Sequence, residues 1–351
     1  MFSIGRVKFK KAKTIIIAEA GVNHNGKISY AKRLVDGAKK AGADIIKFQT
    51  YKAQDLTTKN APRFWNWEGE KIKKGSQFDS YSNLDSFEKT HYKEIIKYCR
   101  KKKIEFMSTP FDKSSADMLA SIGMKGFKIA SCDITNFPLI THIAKKKLPI
   151  LLSTGASNMK EIEEAVNIIK KNGNNKIAIM HCTLCYPTEP QNANLSAIIA
   201  LKKRFPNYLV GLSDHTIGIE IPSASPLLGV EVIEKHFTFN KKLKKSADHW
   251  LSINIPELKK LVQNVKVINA SFGCKKKKVL RCEIKARSLA RRSIVAACEI
   301  SKNQKIKFKH LQFKRPGTGI PPSKFKNMLG KILKKNINKD HIFNVSDFKK
   351  K

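Results

Sequence analysis

Eight short apolar runs, rich in β-branched residues, recur between residues 14 and 236, and each breaks off abruptly into polar or charged side chains. They are Thr14–Glu19, Asp44–Gln49, Ile104–Thr109, Gly126–Ser131, Pro149–Ser153, Lys176–Cys182, Tyr208–Ser213 and Val230–His236. Runs of this length and composition predict buried strands. Between several of them, apolar positions fall at i, i+3, i+4 and i+7, the spacing of one helix face. Ala31, Leu34, Val35 and Ala38 keep that spacing until Gly42, and Tyr92, Ile95, Ile96 and Cys99 repeat it. Asn158 stands three residues before Glu161, a capping-box arrangement, ahead of Ile162, Ala165, Val166 and Ile169, and Gly173 stops that helix. Eight strand–helix units predict an α/β fold closed into a (β/α)8 TIM barrel. A doubly wound open sheet is the alternative, but no Gly-x-Gly-x-x-Gly follows the first run.

Two regions break the alternation. Residues 50 to about 90 separate the second and third runs and hold Phe64-Trp65-Asn66-Trp67. That stretch reads either as a lid or subunit contact or as a plain surface insertion. A last helix then runs to Phe272-Gly273, and a basic stretch from Lys275 to Lys278 leads into short strand-like pieces. These are Ser293–Ala297, Lys305–Phe308, Gln312–Lys314 and His341–Asn344, punctuated by turns. The expected division is a barrel domain over 1–275, a basic linker over 276–287 and a small β-rich domain over 288–351. A domain that small has little core of its own and is expected to lean on a partner.

Composition narrows the function. With 351 residues and 41% apolar side chains the chain can bury a barrel-sized core. No run approaches the ~18 apolar residues that span a bilayer. The basic N-terminus leads into an apolar stretch too short for a signal peptide, so a cytoplasmic protein is expected. Seven scattered cysteines form no disulfide framework, and Cys182-Thr-Leu-Cys185 lacks the second CxxC of a structural zinc site. A formal charge of +41 suits a nucleic-acid binder, but Lys far outnumbers Arg and is spread along the whole chain. No nucleic-acid motif accompanies it, so specific nucleic-acid recognition is not expected. A positive field would still concentrate an anionic substrate.

The polar groups at the strand ends carry the candidate chemistry. The first run ends on Glu19, the second on Lys47-Phe48-Gln49 and the third on Ser108-Thr109. The fourth supplies Lys128 and Ser131, the fifth Ser153, and the sixth His181 and Thr183 with Tyr186 just beyond. The seventh supplies Ser213-Asp214-His215 and the eighth Glu234-Lys235-His236. Alternation sends Lys47 and Gln49 to one side and Phe48 to the other, and it pairs Glu234 with His236 in the same way. Barrel interiors prefer bulky aliphatics, so two lysines, two carboxylates, hydroxyls and histidines at one rim are costly unless paired or ligand-bound. Lysines with hydroxyls suit a phosphate and a carboxylate. His215 and His236 suit a divalent metal with open positions for substrate oxygens.

Several motifs in order and spacing resemble one family. They are Ile17-Ala-Glu-Ala-Gly-Val-Asn-His-Asn-Gly26, Ala41-Gly-Ala-Asp-Ile-Ile-Lys-Phe-Gln-Thr50, Met107-Ser-Thr-Pro-Phe-Asp112 and Leu152-Ser-Thr-Gly155. His181-Cys-Thr183 with Tyr186-Pro187, Gly211-Leu-Ser-Asp-His-Thr216 and Glu234-Lys-His-Phe237 complete them. The chain resembles the sialic acid synthases, the N-acetylneuraminate and legionaminate synthase family. Its tail, Lys314-Arg-Pro-Gly-Thr-Gly-Ile-Pro321, resembles their C-terminal antifreeze-like SAF domain, a β-clip fold.

The resemblance implies condensation of phosphoenolpyruvate with an N-acetylated amino-sugar aldehyde, giving a nine-carbon 2-keto acid and phosphate. It implies a divalent metal (manganese, magnesium or cobalt) on His215 and His236, acting as a Lewis acid. By motif position, Lys47, Thr109, Lys128, Ser131, Ser153 and Ser213 would hold phosphoenolpyruvate. Glu19, Gln49, Tyr186, Glu234 and Asp248 would contact the sugar. Glu19, Lys47, Lys128, Asp133, His215, Glu234 and His236 form the candidate catalytic set. Arg315 matches the SAF-domain arginine that reaches the sugar's N-acetyl group in a partner subunit, which implies a domain-swapped homodimer.

Three places depart from the family pattern. Lys245-Ser-Ala-Asp248-His249 stands where many members have Pro-Gly-Pro-Asp-His, and Ser131-Cys132-Asp133 where many have Ser-Gly-Glu. Leu184-Cys185 precedes Tyr-Pro where an asparagine is common. These changes bear on the sugar more than on the metal or phosphate. N-acetylmannosamine is the leading acceptor, with a 2,4-diacetamido sugar of the legionaminate or pseudaminate type as the alternative. A pyruvate-using metal aldolase and a basic barrel binding nucleic acid or polysaccharide are the competing readings.

Overall fold

The apolar runs pair edge to edge until the last meets the first. In the computed structural model, which describes residues 1–11, 13–65, 75–274 and 276–349, two short strands, β1 (Phe2–Ile4) and β2 (Val7–Phe9), precede the barrel. The barrel strands are β3 (Ile15–Gly21), β4 (Ile45–Thr50), β5 (Glu105–Pro110), β6 (Phe127–Ile129), β7 (Ile150–Ser153), β8 (Ile177–Cys182), β9 (Leu209–Asp214) and β10 (Val232–His236). They form a closed parallel barrel in sequence order, with β10 paired back to β3 through Val232 opposite Ile15 and His236 opposite Glu19. The eight predicted strands and the TIM-barrel architecture are therefore present.

Alternation along each strand divides the side chains between two cores. Ile15, Ile17, Ile45, Met107, Leu151, Met180 and Val232 point into the barrel. Ile46, Phe48, Phe106, Ile179 and Ile233 point outward, against Leu34, Val35 and Ala38 of the helix Ile28–Ala41 and Ile95 and Ile96 of Lys89–Lys102. The helix stops are those the sequence predicts. Gly42 closes its helix at φ 91, and Asn158 and Glu161 form the capping box of Met159–Lys171.

The N-terminus is not only a basic lead-in. β1 and β2 pair antiparallel, and Ile4, Val7 and Phe9 join the inner core beneath the barrel strands. Their alternating pattern is short and interleaved with lysine and arginine, which conceals it in the sequence. This plug closes the N-terminal end and leaves the C-terminal rim open, the end where barrel enzymes place their chemistry.

The chain divides into two compact units, Met1–Gly273 and Cys274–Lys351. In the second, β11 (Ser293–Ala296) pairs antiparallel with β12 (Leu311–Lys314) over a core of Ile294, Ile300, Ile306, Leu333 and Phe343. Two further expected strands shrink to isolated bridges, Lys305 with Ile332 and Val295 with Ile342, because turns interrupt both stretches. Part of the expected linker is helical. Glu283 caps the backbone amide of Leu280, and good helix formers carry Ile284–Ala290 onward. Asn66 and Trp67 of the aromatic insertion lie outside the described residues. All seven cysteines are free thiols, and no helix among the described residues is long and apolar enough to cross a membrane.

Candidate active site

A cavity of about 380 Å³ opens at the C-terminal rim of the barrel. The first unit's residues of the candidate catalytic, substrate-binding and metal sets all line it, from Glu19 on β3 to Asp248 in the turn Ala247–His249. Its floor is a charge cluster. Lys47 Nζ lies 2.7 Å from Glu19 Oε2 and 3.7 Å from Glu234 Oε1, and Lys128 Nζ lies 2.8 Å from that same Glu234 oxygen. Lys47 also donates to Thr109 Oγ1 at 2.9 Å, and Ser213 donates to Glu234 at 3.1 Å. Gln49 reaches Glu19 at 3.4 Å. Lys47, Glu19 and Glu234 are buried, so each charge depends on the others for its cost to be met.

The two carboxylates do not share the load equally. Burial pushes Glu19 up to about 7, only partly opposed by Lys47, and the neighbouring Glu234 raises it further. Burial acts on Glu234 as well, but Lys128 and Lys47 overcome it and bring that group down to about 2. At neutral pH Glu234 is ionised while Glu19 sits near half-titration. Separated values of this kind mark an acid–base division of labour.

The hydroxyls stand around this floor. Ser131 Oγ accepts from the Gly155 amide at 2.9 Å, and a Cβ on Gly155 would come within 2.8 Å of that oxygen. The Ser-Thr-Gly motif thus keeps its glycine so that the strand end can approach Ser131. Ser153 Oγ is buried with no hydrogen-bond partner among the described residues, a donor left for a ligand oxygen. Asp133 is raised by burial and accepts from Asn136 at 3.2 Å.

His215 and His236 lie side by side, ring centroids 5.5 Å apart, with Tyr186 stacked on His215 at 4.0 Å. His215 Nδ1 lies 2.8 Å from the Thr183 carbonyl. Donation there leaves Nε2 with a free lone pair, the usual way a second partner orients a metal-binding imidazole. His236 Nδ1 is buried without a hydrogen bond among the described residues, and Asp248 Oδ2 lies 3.7 Å from it. Burial raises Asp248 to about 6, opposed by His215. Among the described residues no three His, Cys, Asp or Glu side chains converge as a complete cage. Two imidazoles with unmet nitrogens fit an ion whose other positions come from water or substrate.

The sequence reading needs two adjustments at this rim. His181 turns outward and bonds the Ala193 carbonyl, because Met180 and Cys182 take the inward positions of β8. Cys182 Sγ lies 3.8 Å from His215 Nδ1 instead. Sequence reasoning also missed Tyr51, Tyr81, Leu84 and Phe111, which line the upper cavity. Two of them had a signal, since Tyr51 and Phe111 continue the inward alternation beyond Gln49 and Thr109. Arg315 belongs to the second unit, exposed directly after β12.

Residues 34–277 match the NeuB family, and residues 291–349 match the SAF domain. The chain belongs to the NeuB family. It is similar to the N,N'-diacetyllegionaminic acid synthase of Campylobacter jejuni, 41% identical over 94% of this chain and 98% of that one. The enzyme of the same name from Legionella pneumophila is 40% identical over 92% of this chain and 91% of its own. The crystal structure of N-acetylneuraminic acid synthetase from Leptospira borgpetersenii superposes with a TM-score of 0.72 at 36% identity, covering 81% of this chain and 94% of that one. In this NeuB-family protein the departures gather at the cavity wall: Cys132, Leu184 and Lys245 all line it, above the charged floor.

Proposed function

We propose that this protein condenses phosphoenolpyruvate with the open-chain aldehyde of an N-acetylated amino sugar, yielding a nine-carbon 2-keto sugar acid and phosphate. The observation that carries the reading is the floor of two buried lysines braced by two carboxylates, beside two imidazoles 5.5 Å apart. Lys47 and Lys128 exchange part of their pairing with Glu19 and Glu234 for the phosphate and carboxylate of phosphoenolpyruvate. Thr109, Ser131, Ser153 and Ser213 supply hydroxyls to the same anion. A divalent ion on His215 and His236 (manganese, magnesium or cobalt) supplies Lewis-acid polarisation of the aldehyde. Gln49, Tyr186, Asp133 and Asp248 hold the sugar above the floor.

The proton balance falls to Glu19. C3 of phosphoenolpyruvate bonds to the aldehyde carbon, and the carbonyl oxygen takes a proton from neutral Glu19. Water then adds at C2 and returns a proton to the Glu19 carboxylate; the C2 hydroxyl collapses to the ketone as the C–O bond to phosphate breaks, and its proton leaves on the phosphate. Glu234 stays ionised throughout and keeps Lys128 in place.

A 2,4-diacetamido sugar is the better-supported acceptor. The two relatives named for diacetyllegionaminic acid stand at 41% and 40% identity, against 36% for the N-acetylneuraminic acid synthetase. Arg315 of a partner subunit completes the site in a domain-swapped homodimer. The test is phosphate release from phosphoenolpyruvate with manganese, offering N-acetylmannosamine and a 2,4-diacetamido-hexose separately. Release with the diacetamido sugar, lost on chelation and restored by metal, is expected. Release from phosphoenolpyruvate that ignores the sugar, or none with either sugar, defeats the proposal.

A further inference from the structure

The cavity has two chemical halves, and the charged floor accounts for only one. Along β4 the inward positions run Lys47, Gln49 and then Tyr51 just past its end, so the tyrosine stands about 13 Å beyond the lysine along the strand. The adjacent strand repeats the gradient, with Thr109 below and Phe111 above. Val22, Leu56, Tyr81 and Leu84 pack with these two rings into one apolar cluster. The Tyr51 ring meets Tyr81 edge-on at 5.5 Å and Phe111 at 5.8 Å. A polyol laid against this wall would lose the hydration of its hydroxyls without compensation.

Two phenol hydroxyls, those of Tyr51 and Tyr81, interrupt the wall, and the Tyr51 one is the buried donor. Tyr51 is 6% exposed, and its hydroxyl is buried with no hydrogen-bond partner among the described residues. A buried donor left unmet is destabilising until a ligand supplies its acceptor. The wall therefore asks for a group that is apolar over most of its surface and carries one acceptor. An acylamino group has that form: a methyl to lie against Leu84 and Leu56, and a carbonyl oxygen to accept from the phenol.

We propose that this wall, between Tyr51, Tyr81, Leu84 and Phe111, is a subsite for the acceptor's second acylamino group, the one further from the aldehyde, with the Tyr51 hydroxyl donating to its carbonyl. The order along the strand follows the order along the reactants. Phosphoenolpyruvate lies at the Lys47 level, the aldehyde near Gln49, and the far substituents of the sugar at Tyr51. Tyr51 thereby selects a doubly acylated sugar over one with a hydroxyl at that carbon. The inference rests on the synthase reading above and deepens it.

Tyr51→Phe removes the donor and keeps the ring. Steady-state phosphate release is compared between wild type and this variant with a 2,4-diacetamido-hexose and with N-acetylmannosamine. Losing the bond is expected to cut kcat/KM for the diacetamido sugar about tenfold through KM. The KM for phosphoenolpyruvate and whatever turnover N-acetylmannosamine supports should stay unchanged. A variant that slows both sugars alike, or changes neither, removes the subsite while leaving the synthase standing. A wild-type enzyme that releases no phosphate with either sugar removes the synthase reading, and the subsite with it.

Discussion

Glu19 and Glu234 share Lys47 between them, yet burial lifts Glu19 to about 7 while Lys128 and Lys47 bring Glu234 down to about 2. The difference is a matter of neighbours. Glu234 receives Lys128, Lys47 and the Ser213 hydroxyl, whereas Glu19 has Lys47 and a long contact from Gln49. In the proposed condensation the sign for activity follows from the proton that Glu19 holds before the carbon–carbon bond forms. That proton is present below about pH 7 and lost above it, so kcat/KM should be level on the acid side and fall about tenfold per unit on the alkaline side. Glu19→Gln should lower kcat and flatten that limb. A limb that persists unchanged in the variant would assign the titration to another group.

At the scale of elements, the histidine-bearing strands β9 and β10 are tied on their outer face. Asp214 and Lys235 follow Ser213 and Glu234 by one residue, so alternation turns them away from the cavity and into the helix layer. They pair at 2.6 Å, both fully buried, with Thr216 donating to Asp214 and its carbonyl accepting from Lys235. Burial pulls Lys235 down, and Asp214 only partly offsets it. Lys235→Met should cost roughly 3–5 kcal/mol because it strands a buried carboxylate, and adding Asp214→Asn should recover much of the loss. Urea unfolding of the three variants measures this. Strictly additive losses would mean that the pair does not act as a unit. The strands themselves were legible, because period-two alternation and abrupt polar ends leave little choice of register. The inward turn of Cys182 in place of His181 was not, since that choice depends on which side of β8 faces the barrel axis.

For the whole molecule, the +41 charge and the two units pose separate questions. The charge draws anions toward the protein, and under the proposed reaction capture of phosphoenolpyruvate should weaken as salt rises. The units raise the matter of where Arg315 acts. Arg315→Ala should raise the KM for the sugar while leaving that for phosphoenolpyruvate alone. Mixing Glu19→Gln and Arg315→Ala chains, each impaired at a sugar concentration well below the variant KM, under subunit exchange decides the arrangement. A domain-swapped dimer places one intact barrel against one intact Arg315 in each mixed pair, so activity should recover to about a quarter of wild type. No recovery from a confirmed mixed dimer means that each chain completes its own site.

The barrel, the strand ends and the composition of the charged floor are already written in the local pattern of the chain. Those depend on local alternation and on a parallel closure that brings every strand's last residues to one rim. That pattern also fixed which groups could meet at that rim, down to Lys47, Lys128, Glu234 and the two histidines. How they interact emerges on packing: Glu19 is left with the weaker share of the lysines, and His215 gives one nitrogen to the Thr183 carbonyl. The aromatic wall is likewise a product of packing. Tyr51 and Phe111 extend the alternation of two strands, but Tyr81 and Leu84 come from the helix Gln77–Ser82 and the turn after it, so only folding assembles the four into one surface. Local patterns survive in a sequence because the backbone repeats, whereas contacts between distant segments are set by how the elements pack.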